Sequence, residues 1–179
     1  MMASSNPEIV LIGGSWHSPE TYAKFRVALE CELANAGRPL VVLMHSYSGQ
    51  VGTDAVEGLG AETRKQQGLP GGILRLVYIS AAMNQEGQSM MDMPIQFGRE
   101  HYIPIMMDIA DDGTNVHRYP ETRVVGPGLS DEELESYVAS LGRWSGKGLW
   151  QPLKRCAWRD IPVSYIYTTN DIIIPLDNQ

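Results

Sequence analysis

The run Val41-Val42-Leu43-Met44-His45-Ser46-Tyr47-Ser48-Gly49 constrains this chain more than any other. Its apolar half makes a short buried strand, and the polar residues behind it force a tight turn. Val51, Ala55, Val56 and Leu59 then mark a helix whose far end is Gly60. A strand that turns sharply into a helix, with serine at the apex, is a nucleophile elbow. Such a turn lifts the Ser46 hydroxyl out of the C-terminal edge of the sheet. It also sets the Tyr47 backbone N–H at a helix N-terminus, where an oxyanion would form. Small residues are needed around the serine because the backbone doubles back on itself. The motif G-x-S-x-G is kept imperfectly: its positions read Met44-His45-Ser46-Tyr47-Ser48, with Gly49 next. Ser48 is small enough, whereas Met44 is expected to crowd the turn. On these five residues alone, an ordinary loop serine remains an open alternative.

The flanking sequence supplies a setting for the turn. Residues 8–12 read as a parallel strand closed by Gly13-Gly14, and Ser18-Pro19-Glu20 opens a helix with a cap and a first-turn proline. Phe25, Ala28, Leu29 and Leu33 give that helix an apolar stripe, and Gly37 ends it. Further strands are expected at residues 40–44, 73–80 and 161–168, the last entered through Pro162. Alternation of this kind predicts a parallel sheet with helices on its faces, in one α/β domain over residues 1–179. Residues 83–160 differ in character and read as an insertion on that sheet. They hold Met83, Met90, Met91, Met93, Met106 and Met107, a turn at Asp111-Asp112-Gly113-Thr114, and a helix opened by Ser130-Asp131-Glu132-Glu133.

Charge and composition narrow the partners. A formal charge of -7 with no Lys/Arg-rich run gives a nucleic-acid backbone little to bind. Apolar runs such as residues 39–44 are too short to span a bilayer. No basic residue precedes the first apolar run, which ends at Gly13-Gly14 and reads as a strand, not a secretory leader. Cys31 and Cys156 have no C-x-x-C spacing and read as buried thiols, with a reducing cytoplasm as the default compartment. No two histidines stand at ligand spacing and the carboxylates are scattered, so no metal site is expected. The chemistry of a serine elbow needs no cofactor.

Two further features belong to that chemistry. A second oxyanion donor is expected from the loop after the first strand, where Gly14, Ser15 and Trp16 are candidates and the Ser15 N–H comes first. A plain strand-to-helix turn is the alternative. A dinucleotide fingerprint is a third reading, but G-x-G-x-x-G is absent and Trp16 would obstruct a pyrophosphate. An acid is expected just beyond a late parallel strand, and Asp171 stands there, after Tyr165-Ile166-Tyr167-Thr168-Thr169-Asn170. Asp160 competes less well, because it precedes the strand.

Taken together, these segments resemble small fungal and bacterial α/β-hydrolases, which are distantly similar to plant methylesterases and hydroxynitrile lyases. The resemblance is carried by Val10-Leu11-Ile12-Gly13-Gly14-Ser15-Trp16-His17-Ser18-Pro19-Glu20, by the Ser46 turn, by Gly72-Ile73-Leu74-Arg75-Leu76-Val77-Tyr78-Ile79-Ser80-Ala81-Ala82, and by Trp158-Arg159-Asp160-Ile161-Pro162-Val163-Ser164-Tyr165-Ile166 running on to Asp171. It implies Ser46 as nucleophile, Asp171 as acid, Ser15 and Tyr47 as oxyanion donors, and residues 83–160 as a lid over the pocket. Two departures accompany it. One helix, residues 20–36, joins the first two strands where the family has a further strand and helix. The family's catalytic histidine lies beyond another strand after the acid, and this sequence stops at Gln179. A sheet of four central parallel strands without its flanking strands is therefore expected, with exposed edges. Of His17, His45, His101 and His117, only His17 stands beside the oxyanion loop; a structural role is expected for His45 and a surface position for the other two. The resemblance implies a serine hydrolase acting on an ester, lactone or thioester of a small apolar metabolite, in secondary metabolism. The alternative is a non-catalytic or accessory homologue without the histidine. A related lyase would reuse the same residues on a cyanohydrin.

Overall fold

A computed structural model of the chain describes residues 6–12, 34–124 and 127–179. The strands are β1 (Glu8–Ile12), β2 (Pro39–Ser46), β3 (Gly72–Ala81), β4 (Met107–Ile109), β5 (Thr114–His117), β6 (Trp144–Ser145) and β7 (Val163–Ile166). Four of them form one parallel sheet in the order β1-β2-β3-β7. This is the sheet expected from the sequence, with β2 and β3 central. Its register aligns Ile12 with Met44, Met44 with Tyr78, and Tyr78 with Tyr165.

Burial follows the strand period of two. Leu40, Val42 and Met44 on β2 and Leu76 and Tyr78 on β3 are fully buried and share a core with Ile12, Ile73, Ala157 and Ile161. Each large apolar side chain so buried contributes about 1.5–3 kcal/mol. The Tyr78 hydroxyl does not go unpaired there, because it meets the Thr53 hydroxyl.

Helix α1 (Ser48–Ala55) follows β2 directly, and nearly all of its residues are buried. It stops at Ala55 and does not run to Gly60. The Val56 N–H closes on the Gly52 carbonyl, and Gly58 takes φ 76, outside the helical region. Val56 and Leu59 are buried all the same, in a turn whose Leu59 carbonyl accepts the Ile73 N–H at 2.8 Å. Their spacing signalled burial, not helix. A second short helix, α2 (Ala61–Gln66), follows and was not foreseen. Its Arg64 is buried, with a guanidinium that donates to the Asn35 side chain at 2.7 Å and to the Pro70 carbonyl at 3.1 and 3.2 Å. Those bonds close the glycine-rich loop before β3.

Strands β4, β5 and β6 form a separate antiparallel sheet inside residues 83–160. The Asp111-Asp112-Gly113 turn joins β4 to β5: the Asp112 carboxylate accepts from the Thr114 N–H and hydroxyl at 2.8 and 2.7 Å, and Gly113 has φ 83. One face of this sheet carries Asp108, ion-paired with Arg118 and Arg143. On the other, Met107 and Trp144 pack against Tyr47, Val51, Met91 and Leu149, forming a second apolar cluster beside α1. The helix Asp131–Ser140 opens with the capping box that its sequence announces, Glu133 N–H to Ser130 Oγ at 3.3 Å and Ser130 N–H to Glu133 Oε2 at 2.8 Å.

Cys156 is buried, its thiol donates to the Asn84 carbonyl at 3.5 Å, and burial pushes its pKa up to about 11. Cys31 and most of the helix expected at residues 20–36 lie outside the described residues. Among the described residues no helix is long and apolar enough to cross a membrane.

Candidate functional site

Ser46 ends β2 at φ 59, and only it and Ser80 hold positive φ among the described non-glycine residues. A left-handed conformation costs an ordinary residue about 1–2 kcal/mol, so the surrounding contacts must fix it. Ser48, standing where the motif has glycine, supplies them. Its hydroxyl accepts the His45 N–H at 2.7 Å and faces the Ile12 and His45 carbonyls at 2.9 and 2.7 Å. The turn is thereby stitched to itself and to β1. Gly49 takes over the need for a small residue: a Cβ added there would collide with the Ala82 carbonyl oxygen at the end of β3.

Met44 does not crowd the turn as its size suggests. It is fully buried, and its sulfur occupies the space that a Cβ on Gly52 would need. Glycine has moved from the strand to the facing helix, and helix and strand still approach closely. Gly52→Ala should therefore destabilise the chain by about 1–3 kcal/mol by overpacking. Met44→Ala in the same chain should return part of that loss. A double-mutant cycle by urea denaturation measures the coupling; strict additivity would refute the exchange.

Asp171 lies beyond the C-terminal end of β7 and its carboxylate is fully engaged. Oδ2 accepts the Ser80 hydroxyl at 2.5 Å and the Thr168 hydroxyl at 3.0 Å. Oδ1 accepts the Ile173 and Ile174 N–H groups at 2.8 and 2.9 Å. Burial pushes its pKa up, but the Ser80 hydroxyl, the two amides and the Thr168 hydroxyl outweigh it, and the net shift is downward. The folded value is below the unfolded one, so the ionised carboxylate stabilises the chain above the unfolded pKa of about 3.9 and loses that effect as pH falls through the folded value. Stability-versus-pH curves of wild type and Asp171→Asn should run parallel above about pH 5 and converge in acid. A constant gap down to the acid limit would refute the hydrogen-bonded carboxylate.

Ser46 pairs with Ala81, and the Ala82 N–H donates to the Ser46 carbonyl at 3.1 Å. Ser80, one residue before Ala81, holds Asp171. The turn and the acid thus share the C-terminal edge of the sheet on β2, β3 and β7. Asp160 sits exposed before β7, at the opposite end of that strand. The Tyr47 backbone follows Ser46 at the start of α1, as expected. Its side chain had no assigned role; it is buried, with its ring 5.6 Å from that of Trp144, and burial pushes the phenol up to about 12. Gly14, Ser15 and Trp16, the oxyanion-loop candidates, lie outside the described residues with His17.

No described histidine hydrogen-bonds Ser46 or Asp171. His45 is exposed, in keeping with an elbow that turns its neighbours away, and His101 lies against Tyr102 at 4.2 Å. His117 differs from the expected surface residue: its Nδ1 accepts the Tyr119 N–H at 3.2 Å while Nε2 is buried without a partner among the described residues. Sequence reasoning also missed Gln50, buried in α1, which bonds the Gln151 carbonyl at 2.7 Å and the Asn84 amide at 3.2 Å and ties the helix to residues 83–160. Nothing in the spacing of these three residues foretells the contact. Among the described residues no three His, Cys, Asp or Glu side chains gather as a metal site requires.

A wound parallel sheet with a sharp strand-to-helix turn at its C-terminal edge is a hydrolase arrangement among α/β proteins. The chain belongs to the Alpha/beta hydrolase family, which it matches over residues 9–179. It is 27% identical over 156 residues to "Probable hydrolase R7" of a Phoma species, an alignment covering 85% of this chain and 57% of the relative. In structure it is similar to an extracellular α/β-hydrolase from a Paenibacillus species, described as sharing structural and functional homology with tobacco salicylic acid binding protein 2. That match has a TM-score of 0.60 at 19% identity and covers 88% of this chain and 59% of the other. The chain thus spans somewhat more than half the length of the hydrolases it matches.

Proposed function

We propose that the chain carries the nucleophile and acid of a serine hydrolase acting on a small, apolar, ester-like metabolite through an acyl-enzyme. The observation that carries this reading is Ser46 at φ 59 on the end of a central parallel strand, with a helix opening immediately behind it. Strained serines of this kind present their hydroxyl to solvent at the mouth of the sheet. In the proposed mechanism Ser46 Oγ attacks the acyl carbon and the Tyr47 N–H stabilises the oxyanion together with the Ser15 N–H. Asp171 would orient a histidine that takes the Ser46 proton and returns it to the departing alcohol or thiol, water then releasing the acyl group, and none of the described histidines stands in that place. Met90, Met91 and Met107, gathered with Trp144 around Tyr47, support an apolar acyl site beneath residues 83–160 acting as a lid. The relative described as a probable hydrolase supports hydrolysis as the reaction type. A role in secondary metabolism is part of the proposal.

A panel of p-nitrophenyl esters of increasing acyl length tests it. Turnover by wild type that favours medium apolar acyl groups, and is lost in Ser46→Ala, is the expected outcome. Turnover surviving in Ser46→Ala would sink the reading. A second reading, a binding or accessory homologue, is favoured by one observation: all four acceptor positions of the Asp171 carboxylate are filled by Ser80, Thr168, Ile173 and Ile174, with no imidazole among them. Binding of the same esters without release of p-nitrophenol would select it.

A further inference from the structure

We propose that Ser80 is a positioning residue: it fixes the Asp171 carboxylate to the sheet edge in register with the Ser46 turn. The proposal rests on the hydrolase reading of Ser46 and Asp171, and adds to it a residue from the strand between them.

Ser80 sits in an interruption of the β2–β3 ladder. His45 aligns with Ile79 and Ser46 with Ala81, so Ser80 has no partner on β2. The extra residue is a β-bulge, and it is buried at φ 40. Bulges of this kind re-aim one side chain beside a site. Here the side chain turns away from the elbow and toward β7, and its hydroxyl donates to Asp171 Oδ2 at 2.5 Å.

The four donors to Asp171 are not equivalent. Thr168, Ile173 and Ile174 belong to the acid's own loop and would travel with it. Among the described residues, Ser80 alone reaches the carboxylate from another strand. It is also one residue from Ala81, whose register partner is Ser46, and two from Ala82, whose N–H donates to the Ser46 carbonyl at 3.1 Å. The bulge is itself clamped, since the Tyr165 hydroxyl accepts the Ala81 N–H at 3.0 Å and donates to the Ala81 carbonyl at 2.8 Å. A short rigid path therefore runs from nucleophile to acid through three consecutive small residues, Ser80-Ala81-Ala82. Among the described residues Tyr165 is an ionisable neighbour of Asp171.

Ser80→Gly separates the hydroxyl from the backbone strain, because glycine accepts a positive φ and keeps the bulge. Two readouts on the full chain decide the matter: the 13C titration of the Asp171 carboxyl, and steady-state ester turnover. Loss of the hydroxyl should move the Asp171 titration to higher pH and lower kcat about 10- to 100-fold with KM little changed. Ser80→Ala should give the same titration shift, with lower stability from the strained backbone. An unmoved Asp171 titration in folded Ser80→Gly overturns the proposal, and so does a moved titration with wild-type kcat. If wild type neither turns over esters nor reacts at Ser46, the hydrolase reading fails. The titration then still decides whether Ser80 holds Asp171.

Discussion

Replacing Ser46 with glycine is expected to abolish ester turnover while raising stability by up to about 1 kcal/mol. The two effects have separate origins in one side chain. Ser46 is held at φ 59, where a Cβ costs about 1–2 kcal/mol and glycine none. Glycine returns part of this gain through the larger entropy of its unfolded chain, roughly 0.5–1 kcal/mol. Removing the hydroxyl removes the proposed nucleophile, and whatever ester turnover the chain has should be lost. Ser46→Ala keeps the strain and should lose turnover without becoming more stable. Urea denaturation beside an ester assay separates the two variants. A Ser46→Gly chain clearly less stable than wild type would mean that the turn is not strained at this residue.

Gly49→Ala should do the reverse, damaging the fold first and activity as a consequence. An added Cβ meets the Ala82 carbonyl oxygen, with the Ala82 N and Ala81 Cβ only 3.0 Å away. Two of these three atoms are backbone in a buried strand end and cannot swing aside. Helix α1 must therefore shift away from β3, at a cost of about 3 kcal/mol. The shift carries the Tyr47 N–H out of line with Ser46 and breaks the Ser48 hydroxyl contacts that set the turn. Turnover should be lost even where the variant remains folded. Gly142→Ala is the control, since nothing lies within 4 Å of its added Cβ, and its stability should be unchanged or slightly raised. Equal stability of the two variants would refute the close approach.

The sheet was legible because its information is local. The β-branched runs at β1, β2, β3 and β7 are short, apolar and punctuated by glycine and proline, and with the helical segments between them this suffices to mark a parallel sheet of four strands. The Ser130 capping box was legible for the same reason, each partner lying within one helical turn. What the sequence hid is tertiary. Met44 reads as a fault in the motif until Gly52, eight residues on, is seen to face it. Val56 and Leu59 keep helical spacing, yet the helix has ended at Ala55, and they are buried from a turn as part of the sheet's core. Ser80 looks like one more residue of a strand, and only the register shift opposite His45 and Ser46 shows it to be a bulge. The meeting of Tyr47 with Trp144 spans nearly a hundred residues and has no signature in either neighbourhood. Asp171 follows a strand as expected, but the donors that fill its carboxylate were not foreseeable, because Ser80 arrives from a different strand.

The claim on which the rest depends is that Ser46 is a nucleophile, and a fluorophosphonate probe addresses it directly. The folded wild-type chain, treated with the probe and digested for mass spectrometry, should carry one adduct on Ser46, absent from Ser46→Ala. Labelling should persist in Met44→Ala, where the turn is kept by Ser48 and Gly49. A folded wild-type chain that takes up no probe, or takes it up at another serine, would contradict the account.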